Sequence, residues 1–184
     1  MPAQFIRDEA FAFKPIARAG NRRWSIDDIL NEASRNPDRP SAWRHVPEHR
    51  RIEPIAMTDT TLFDVRDQAR VAAKEGREEN GRRFRSSGLA MVSRVVSYPV
   101  RADHFGYPRD VLADMVRHGL AGGEVPDPDV ERLTRWAQMS VAWSRRDLGG
   151  DVAAVMHADE ECCHCHILRP LQIDPESGIA SLGF

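Results

Sequence analysis

Apolar side chains recur every three or four positions in four segments of the chain, the spacing of a helix with one buried face. These segments are residues 26–36, 60–76, 108–119 and 128–148. The first opens with a capping box at Ser25, and we expect Pro37 to end it. The last opens with Asp127 as N-cap and Pro128 in the first turn, and Gly149 should stop it.

Other segments have the pattern of strands. Residues 89–100 are rich in valine and predict a buried strand, and an apolar stretch at residues 11–16 indicates a first one. Near the end of the chain, residues 151–156 and 164–173 predict two strands joined by a turn over 158–163, which should pair as an antiparallel hairpin. We therefore expect one α+β domain over residues 1–184, with an antiparallel sheet and its helices packed on one face.

Composition narrows the class of protein. Hydrophobic residues make up 41% and charged residues 29%, which is ordinary for a globular domain. Apolar runs are far too short to cross a bilayer, and the start of the chain lacks a signal-peptide layout, so we expect a cytoplasmic protein without membrane contact. Three cysteines at 162, 163 and 165 are too clustered for a disulfide framework, which indicates a reducing compartment or a role beside a metal.

The positive charges are segregated although the net charge is only −2. Residues 10–26 and 81–102 contain basic side chains and no acidic one, which can give a nearly neutral protein a basic face for phosphate backbones. The candidates for such contacts are Arg22, Arg23, Arg83 and Arg85. Trp24 and Trp43 could stack on unpaired bases, although core packing is the role we favour for them.

The most informative segment is His157-Ala-Asp-Glu160-Glu-Cys-Cys-His164-Cys-His166. Side chains two apart on a strand point to the same face, so His164 and His166 should lie together, and His157 should meet them from the partner strand. Three converging imidazoles suit a divalent transition metal and leave positions open for water or substrate. Asp159 and Glu160 are near enough to hydrogen-bond an imidazole, and we assign Glu160 to the catalytic machinery.

Two other interpretations of this segment stay open. One is that the histidines cluster by chance on a surface or in a core, and the other is that Cys162 or Cys163 in the turn ligates a structural zinc. Cys165 should face away from His164 and His166 because strand side chains alternate.

The spacing of these residues resembles the metal motif of the Mob/Pre family of plasmid-mobilisation relaxases, which typically reads H-x-D-E-x-T-P-H-x-H. The match is at His157, Asp159, Glu160, His164 and His166. Cys162 and Cys163 stand where the family favours Thr-Pro. The resemblance extends more weakly over residues 85–100 and 31–46.

The resemblance implies an endonuclease fold of the HUH type, with the metal site on the sheet face opposite the helices. It implies that His157, His164 and His166 hold Mn or Mg, with Zn as a further possibility, against a phosphate of single-stranded or hairpin DNA at an origin of transfer. A side-chain nucleophile would cut one strand through a covalent 5′-phosphoryl adduct. A type IV coupling protein is the further partner that such an enzyme implies.

The family nucleophile has no direct counterpart here. Its H-N-x-R context corresponds best to residues 20–23, where Gly20 replaces the histidine. We rank His45 first as a substitute, because it lies in a basic, proline-rich loop, then His49 and Tyr107. Tyr98 falls inside a predicted strand, where packing is the expected role.

Two competing classes of function remain at this stage. One is a metal-bearing DNA-binding domain without cleavage, and the other is a zinc hydrolase or structural zinc module. A tightly held zinc would favour the second class, whereas weak dependence on Mg or Mn would favour the relaxase.

Overall fold

The computed structural model describes residues 5–14, 17–18, 21–22, 24–39, 46, 51–78, 80–85 and 88–182. The helices are α1 (Ile26–Ala33), α2 (Leu62–Glu75), α3 (Arg109–Leu120) and α4 (Pro128–Leu148), with a short 3-10 turn at Ala102–Phe105. The strands are β1 (Phe5–Ala12), β2 (Ala17–Arg18), β3 (Asn21–Arg22), β4 (Ile55–Ala56), β5 (Leu89–Arg101), β6 (Ala153–His157), β7 (Cys162–Pro170), β8 (Gln172–Ile173) and β9 (Ala180–Ser181).

Five strands form the main sheet in the order β1-β5-β7-β6-β4, and every neighbouring pair is antiparallel. β7 lies at the centre, so its backbone is paired on both sides and all but its first residue is buried. The expected α+β class with an antiparallel sheet is confirmed.

The helix starts follow their local sequence. In α1 the Ser25 hydroxyl accepts a hydrogen bond from the backbone N–H of Asp28, and the Asp28 carboxylate accepts one from the backbone N–H of Ser25. Thr61 and Asp64 repeat this capping box at the start of α2. These side chains satisfy backbone donors that have no partner inside the first turn.

Helices cover both faces of the sheet. On one face α3 and α4 pack with Ile167, Cys165 and Met156, and on the other α1 and α2 pack with Leu168 and Val155. The expectation that the helices lie on one face and the metal site on the other is therefore wrong, because α1 and α2 share the face of His164 and His166. The physical reason is that the central strands bury side chains at odd and even positions alike, so both faces must be kept from water.

The boundaries of the elements in the structure differ from those predicted from the sequence in three places. The first strand is β1, earlier than residues 11–16, and α1 ends at Ala33, before Pro37. The hairpin turn occupies residues 158–161 and is shorter than expected. Within the described ranges, no helix combines the length and apolar composition that crossing a bilayer requires.

Candidate metal centre

Three histidine rings converge on the β6–β7 hairpin. His157 ends β6 and is directly opposite His164 in the register of the hairpin, while His166 lies two residues farther along β7 on the same face. His164 Nε2 is 3.2 Å from His157 Nδ1 and 3.0 Å from His166 Nε2. The predicted convergence of the three side chains is confirmed.

The outward nitrogens of two rings fix which nitrogen carries the proton. His157 Nε2 lies 2.9 Å from the carbonyl oxygen of Ala33, and His164 Nδ1 lies 3.3 Å from that of Cys162. A carbonyl can only accept, so these nitrogens are the donors in the neutral rings. The opposite nitrogens, His157 Nδ1 and His164 Nε2, therefore present lone pairs toward the centre of the cluster.

Burial keeps these rings neutral. Desolvation, assisted by the neighbouring His166, His164 and Arg35, lowers the pKa of His157 well below its usual 6.5. Desolvation also lowers the pKa of His164, although Glu160 opposes the shift. Neutral imidazole is the form that binds a metal ion, so protons do not compete for these nitrogens near neutral pH.

Two carboxylates border the same centre. Glu32 Oε2 lies 3.3 Å from His166 Nε2, and Glu32 Oε1 lies 4.0 Å from His157 Nδ1. Glu160 Oε1 lies 3.7 Å from His164 Nε2 and 4.0 Å from His157 Nδ1. Among the described residues, ligand atoms converge within 4.8 Å in two groups, the three histidines and Glu32 with His157 and Glu160.

A buried arginine holds the carboxylates in place. Arg35 donates to both oxygens of Asp159 at 2.9 Å, to Glu32 Oε1 at 2.7 Å and to Glu160 Oε1 at 2.6 Å. Burial opposes the charge of its guanidinium, but the hydrogen bonds and Coulombic attraction of these acids outweigh burial and raise the pKa of Arg35. The guanidinium is therefore a permanent cation that ties α1 to the hairpin turn.

The charges of this cluster favour a further cation. The Arg35 guanidinium faces three carboxylates, while the pKa values of His157 and His164 are lowered toward the neutral form. Ionised groups at so buried a site are stabilised by every opposite charge brought close to them. The arrangement of three imidazoles and two carboxylates fits a divalent cation, which would add such compensation.

The cluster lines an open groove of about 720 Å³. His164, His166, Glu32 and Glu160 line it together with side chains of β1 and of β5, the strand that pairs with β7. Trp24 also lines the groove and is 43% exposed, so the favoured core role for this tryptophan is wrong.

Two of the predicted phosphate contacts, Arg83 and Arg85, do not line this groove. Arg83 and Arg85 are exposed, and Arg85 lies 3.5 Å from Glu78. Arg22 belongs to β3, which pairs with β2, and its side chain is outside the described atoms. Arg23, Trp43, His45, His49 and Gly20 lie outside the described residues, so the assignments to them stay predictions.

The two tyrosines lie on the sheet face opposite the histidines. Tyr107 packs against the core between the sheet and α3 and α4, and its hydroxyl donates to Asp127 Oδ2 at 2.8 Å, so its ranking as a substitute nucleophile is wrong. Tyr98 packs against the same core, stacked on Phe105 and edge-on to Trp136, as expected for a packed aromatic. The opposite-face position expected for Cys165 is confirmed.

Cysteine ligation of a zinc finds no support in this geometry. Cys163 and Cys165 are buried in the α3–α4 core, across the sheet from the histidine rings. Neither they nor Cys162 belongs to a converging ligand group in the described part of the chain.

Glu32 and Arg35 were missed by reasoning from the sequence. Glu32 lies at the border of the apolar face of α1, and a carboxylate in that position was the available signal. Arg35 adopts a positive φ of 50°, a conformation that disfavours non-glycine residues and that the surrounding contacts must hold.

No protein-family model, curated protein or solved structure matches this chain.

Proposed function

We propose that this chain is a metal-dependent domain that nicks single-stranded DNA and stores the cut bond as a covalent protein–DNA adduct. The observation that carries the proposal is the convergence of three histidine nitrogens, 3.0 and 3.2 Å apart along the cluster, on the wall of an open groove. The sequence motif that contains these histidines resembles the metal motif of the Mob/Pre relaxases, whose reaction requires a metal centre of this kind.

The spacing of the nitrogens fits ligands of one ion. Ligands about 2.1 Å from an ion lie about 3.0 Å apart when they are at right angles and about 3.4 Å apart when the ion is tetrahedral. The distance of 3.0 Å matches the first value, and the distance of 3.2 Å lies midway between the two. Mg or Mn is our proposed ion because the resemblance to the Mob/Pre relaxases implies it, with Zn as the tetrahedral alternative.

The ion, when bound, would polarise a phosphate oxygen and stabilise the charge that develops on it. The chain's own residues supply the rest of the proposed site. Glu160 is 26% exposed and lines the groove, which supports our assignment of its carboxylate to accept a proton or orient the attacking group. Arg35 holds that carboxylate by its Glu160 hydrogen bond.

The surroundings of the groove offer contacts for a nucleic acid strand. Trp24 gives an exposed aromatic face on which an unpaired base can stack. Beyond Phe11, the chain continues to Phe13 and Lys14, which line a second hollow with Arg70, Lys74 and Phe84. Arg83 and Arg85 flank Phe84 in the sequence, so the basic segment lies beside a hollow that is lined by three cations and one acid, Asp27.

The nucleophile that we propose is His45. Since Tyr98 and Tyr107 both pack under α3 and α4, neither phenol in the chain reaches the histidine cluster. A neutral imidazole can attack a phosphate near pH 7. The attack would break the P–O3′ bond, releasing one strand end as a 3′-hydroxyl and leaving the 5′-phosphate bonded to the imidazole nitrogen. The basic segment around His45 suits the DNA. His49 is the next choice.

Covalent capture tests this proposal without knowledge of the DNA site. The protein is incubated with Mn²⁺ and a pool of single-stranded oligonucleotides of random sequence, and denatured complexes are purified and sequenced. We expect an adduct that requires Mn²⁺, disappears in His164→Ala and persists in the control His104→Ala, which removes an exposed histidine away from the groove. Mass spectrometry of the adduct peptide should identify His45. A complete absence of both adduct and nicked strand would refute the proposal.

Hydrolysis by water is the second candidate function, and one observation favours it. Among the described residues that line the groove, the only hydroxyl is that of Ser93, whereas Glu160 also lines it and is the general base that this mechanism would use. The same incubation separates the two mechanisms, since water attack gives a nicked strand and no adduct. A metal-bearing domain that binds DNA without cutting it would give neither product but would still retain the strand.

A further inference from the structure

Glu32 is a buried carboxylate that α1 delivers to a site otherwise built by the β6–β7 hairpin. Its side chain is only 5% exposed, although an isolated ionised carboxylate at such a position is costly. Arg35 compensates part of this charge through Oε1, at 2.7 Å. That contact also fixes the rotation of the carboxylate, which directs Oε2 toward His166 Nε2.

One distance from Glu32 matches that between neighbouring ligands of an ion. Adjacent ligands of an octahedral ion lie about 3.0 Å apart. Glu32 Oε2 is 3.3 Å from His166 Nε2, while the other oxygen, Oε1, is held by Arg35 and lies 4.0 Å from His157 Nδ1. A direct charged hydrogen bond from His166 would be shorter, about 2.7–2.9 Å.

We propose that Glu32 is a fourth protein ligand of the metal ion, completing a set of three histidines and one carboxylate. This inference rests on the metal site of the proposed function but not on DNA cleavage. The fourth ligand would come from α1, which lies outside the histidine motif of the β6–β7 hairpin. Metal binding would then join α1 directly to β6 and β7, which Arg35 already links through Asp159.

The test compares Mn²⁺ binding to Glu32→Gln and to the unaltered protein by isothermal titration calorimetry and water-proton relaxation. The amide oxygen of the substituted side chain can still accept from Arg35, so the clamp is retained. Loss of a protein ligand should weaken Mn²⁺ binding about a hundredfold or more, since even residues that only support a ligand typically account for about 10- to 100-fold. Relaxation should also show one additional water on the ion.

The matched control is Glu9→Gln, which removes a carboxylate of β1 that lines the same groove and pairs with Arg7. We expect at most a few-fold change in its Mn²⁺ affinity and no change in the bound water. Glu32→Asp, which keeps the charge but shortens the reach, should fall between the two variants. Circular dichroism of the metal-free variants shows whether each one folds, and Glu32→Asp carries the test if Glu32→Gln does not.

Two results would contradict the inference, and each would show which assumption about Glu32 is wrong. Weaker binding by Glu32→Gln with an unchanged number of bound waters would mean that Glu32 only hydrogen-bonds His166. Unchanged affinity in Glu32→Gln, with binding abolished in His164→Ala, would leave the proposed metal site standing without Glu32. If the unaltered protein binds no Mn²⁺, this inference and the metal-dependent function fall together.

Discussion

Arg35 and Asp159 form a two-pronged ion pair between the end of α1 and the turn of the β6–β7 hairpin, with Nε and Nη2 each donating at 2.9 Å. Both side chains are almost completely buried. The fork geometry is one that lysine cannot reproduce. Since Arg35 also binds Glu32 and Glu160, this pair sets the positions of both carboxylates at the histidine cluster.

Replacing Arg35 should cost the metal-free protein much of its stability. Arg35→Ala leaves three carboxylates without their cation, and removal of one partner from a buried ion pair typically costs about 3–5 kcal/mol of unfolding free energy. Arg35→Gly should cost about 1 kcal/mol less, because glycine accepts the positive φ of 50° at this position. Urea denaturation in EDTA measures both values.

The control for this prediction is Arg132→Ala, which removes a 66% exposed arginine paired with Asp129 on α4. An exposed pair of this kind should contribute little, so its unfolding free energy should change by less than about 1 kcal/mol. Equal losses in Arg35→Ala and Arg132→Ala would show that the buried network does not stabilise the fold.

The buried histidines should make the metal-free protein sensitive to acid. His157 has a lowered pKa in the fold but an ordinary one, near 6.5, in the unfolded chain. Between those values the unfolded chain binds more protons, so the stability contribution is intact above about pH 6.5 and is lost as the pH falls below it. Each pH unit should cost about 1.4 kcal/mol per histidine in this window.

Urea titrations in EDTA at pH 7.5, 6.0 and 5.0 measure this effect. His157→Asn removes the titrating ring, so its unfolding free energy should fall less steeply with acid than that of the unaltered protein. Identical pH dependence in the two proteins would assign the acid sensitivity to other groups.

The sequence predicts the histidine cluster well because the three residues belong to one hairpin. Alternation along β7 and the pairing of adjacent strands are local rules, and they suffice to bring His157, His164 and His166 together. Glu32 and Arg35 are 124 or more residues away from their hairpin partners. Their contacts depend on how α1 docks on the sheet, which no local pattern of a single sequence specifies.

The sheet face on which each helix packs also could not be predicted from local sequence patterns. The periodicity and capping boxes of α1 and α2 predict their presence and their starts, but not the face on which they pack. The alternating pattern of β7 predicts one functional face and one core face. In the structure the histidine face is itself covered by α1 and α2, and Leu168 and Val155 on that face belong to their core.

Thiol labelling should show that the cysteines are not ligands of the candidate metal centre. Burial raises the pKa of the Cys163 thiol to about 12 and raises that of Cys165 as well. Since the thiolate is the reactive form, iodoacetamide at pH 8 should modify only the partly exposed Cys162 in the native protein and all three cysteines after unfolding. Intact-mass spectrometry counts the adducts.

Metal should leave this labelling unchanged, and Cys162→Ser should bind Mn²⁺ as the unaltered protein does. Protection of Cys162 by added Zn²⁺, together with weaker metal binding in Cys162→Ser, would contradict the histidine–carboxylate site and support a cysteine-bound zinc.

The basic hollow beside the groove should contribute to DNA affinity in a salt-dependent way. Lys14→Ala with Lys74→Ala removes two of its cations, and Arg83→Ala removes a neighbouring one. Each lost phosphate contact should reduce the slope of log affinity against log salt by about 0.7 for a single strand.

Fluorescence anisotropy with a labelled oligonucleotide measures the slope, and Arg132→Ala is the charge-matched control. Affinity that does not respond to salt in the unaltered protein would argue for a partner other than DNA.

Trp24→Ala tests whether a strand enters the groove by stacking a base on the exposed indole. Such stacking is worth about 1–3 kcal/mol per base, so single-strand affinity should fall between about fivefold and 150-fold. The loss should persist at high salt, because stacking releases no counterions. The substitution should not affect Mn²⁺ binding, because an indole N–H is a donor only and offers no lone pair to a metal ion. Phe63→Ala is the control, as Phe63 is a 58% exposed aromatic on α2 that does not line the groove. Equal losses of affinity in the two variants would remove Trp24 from the binding path and leave the groove without an assigned base contact.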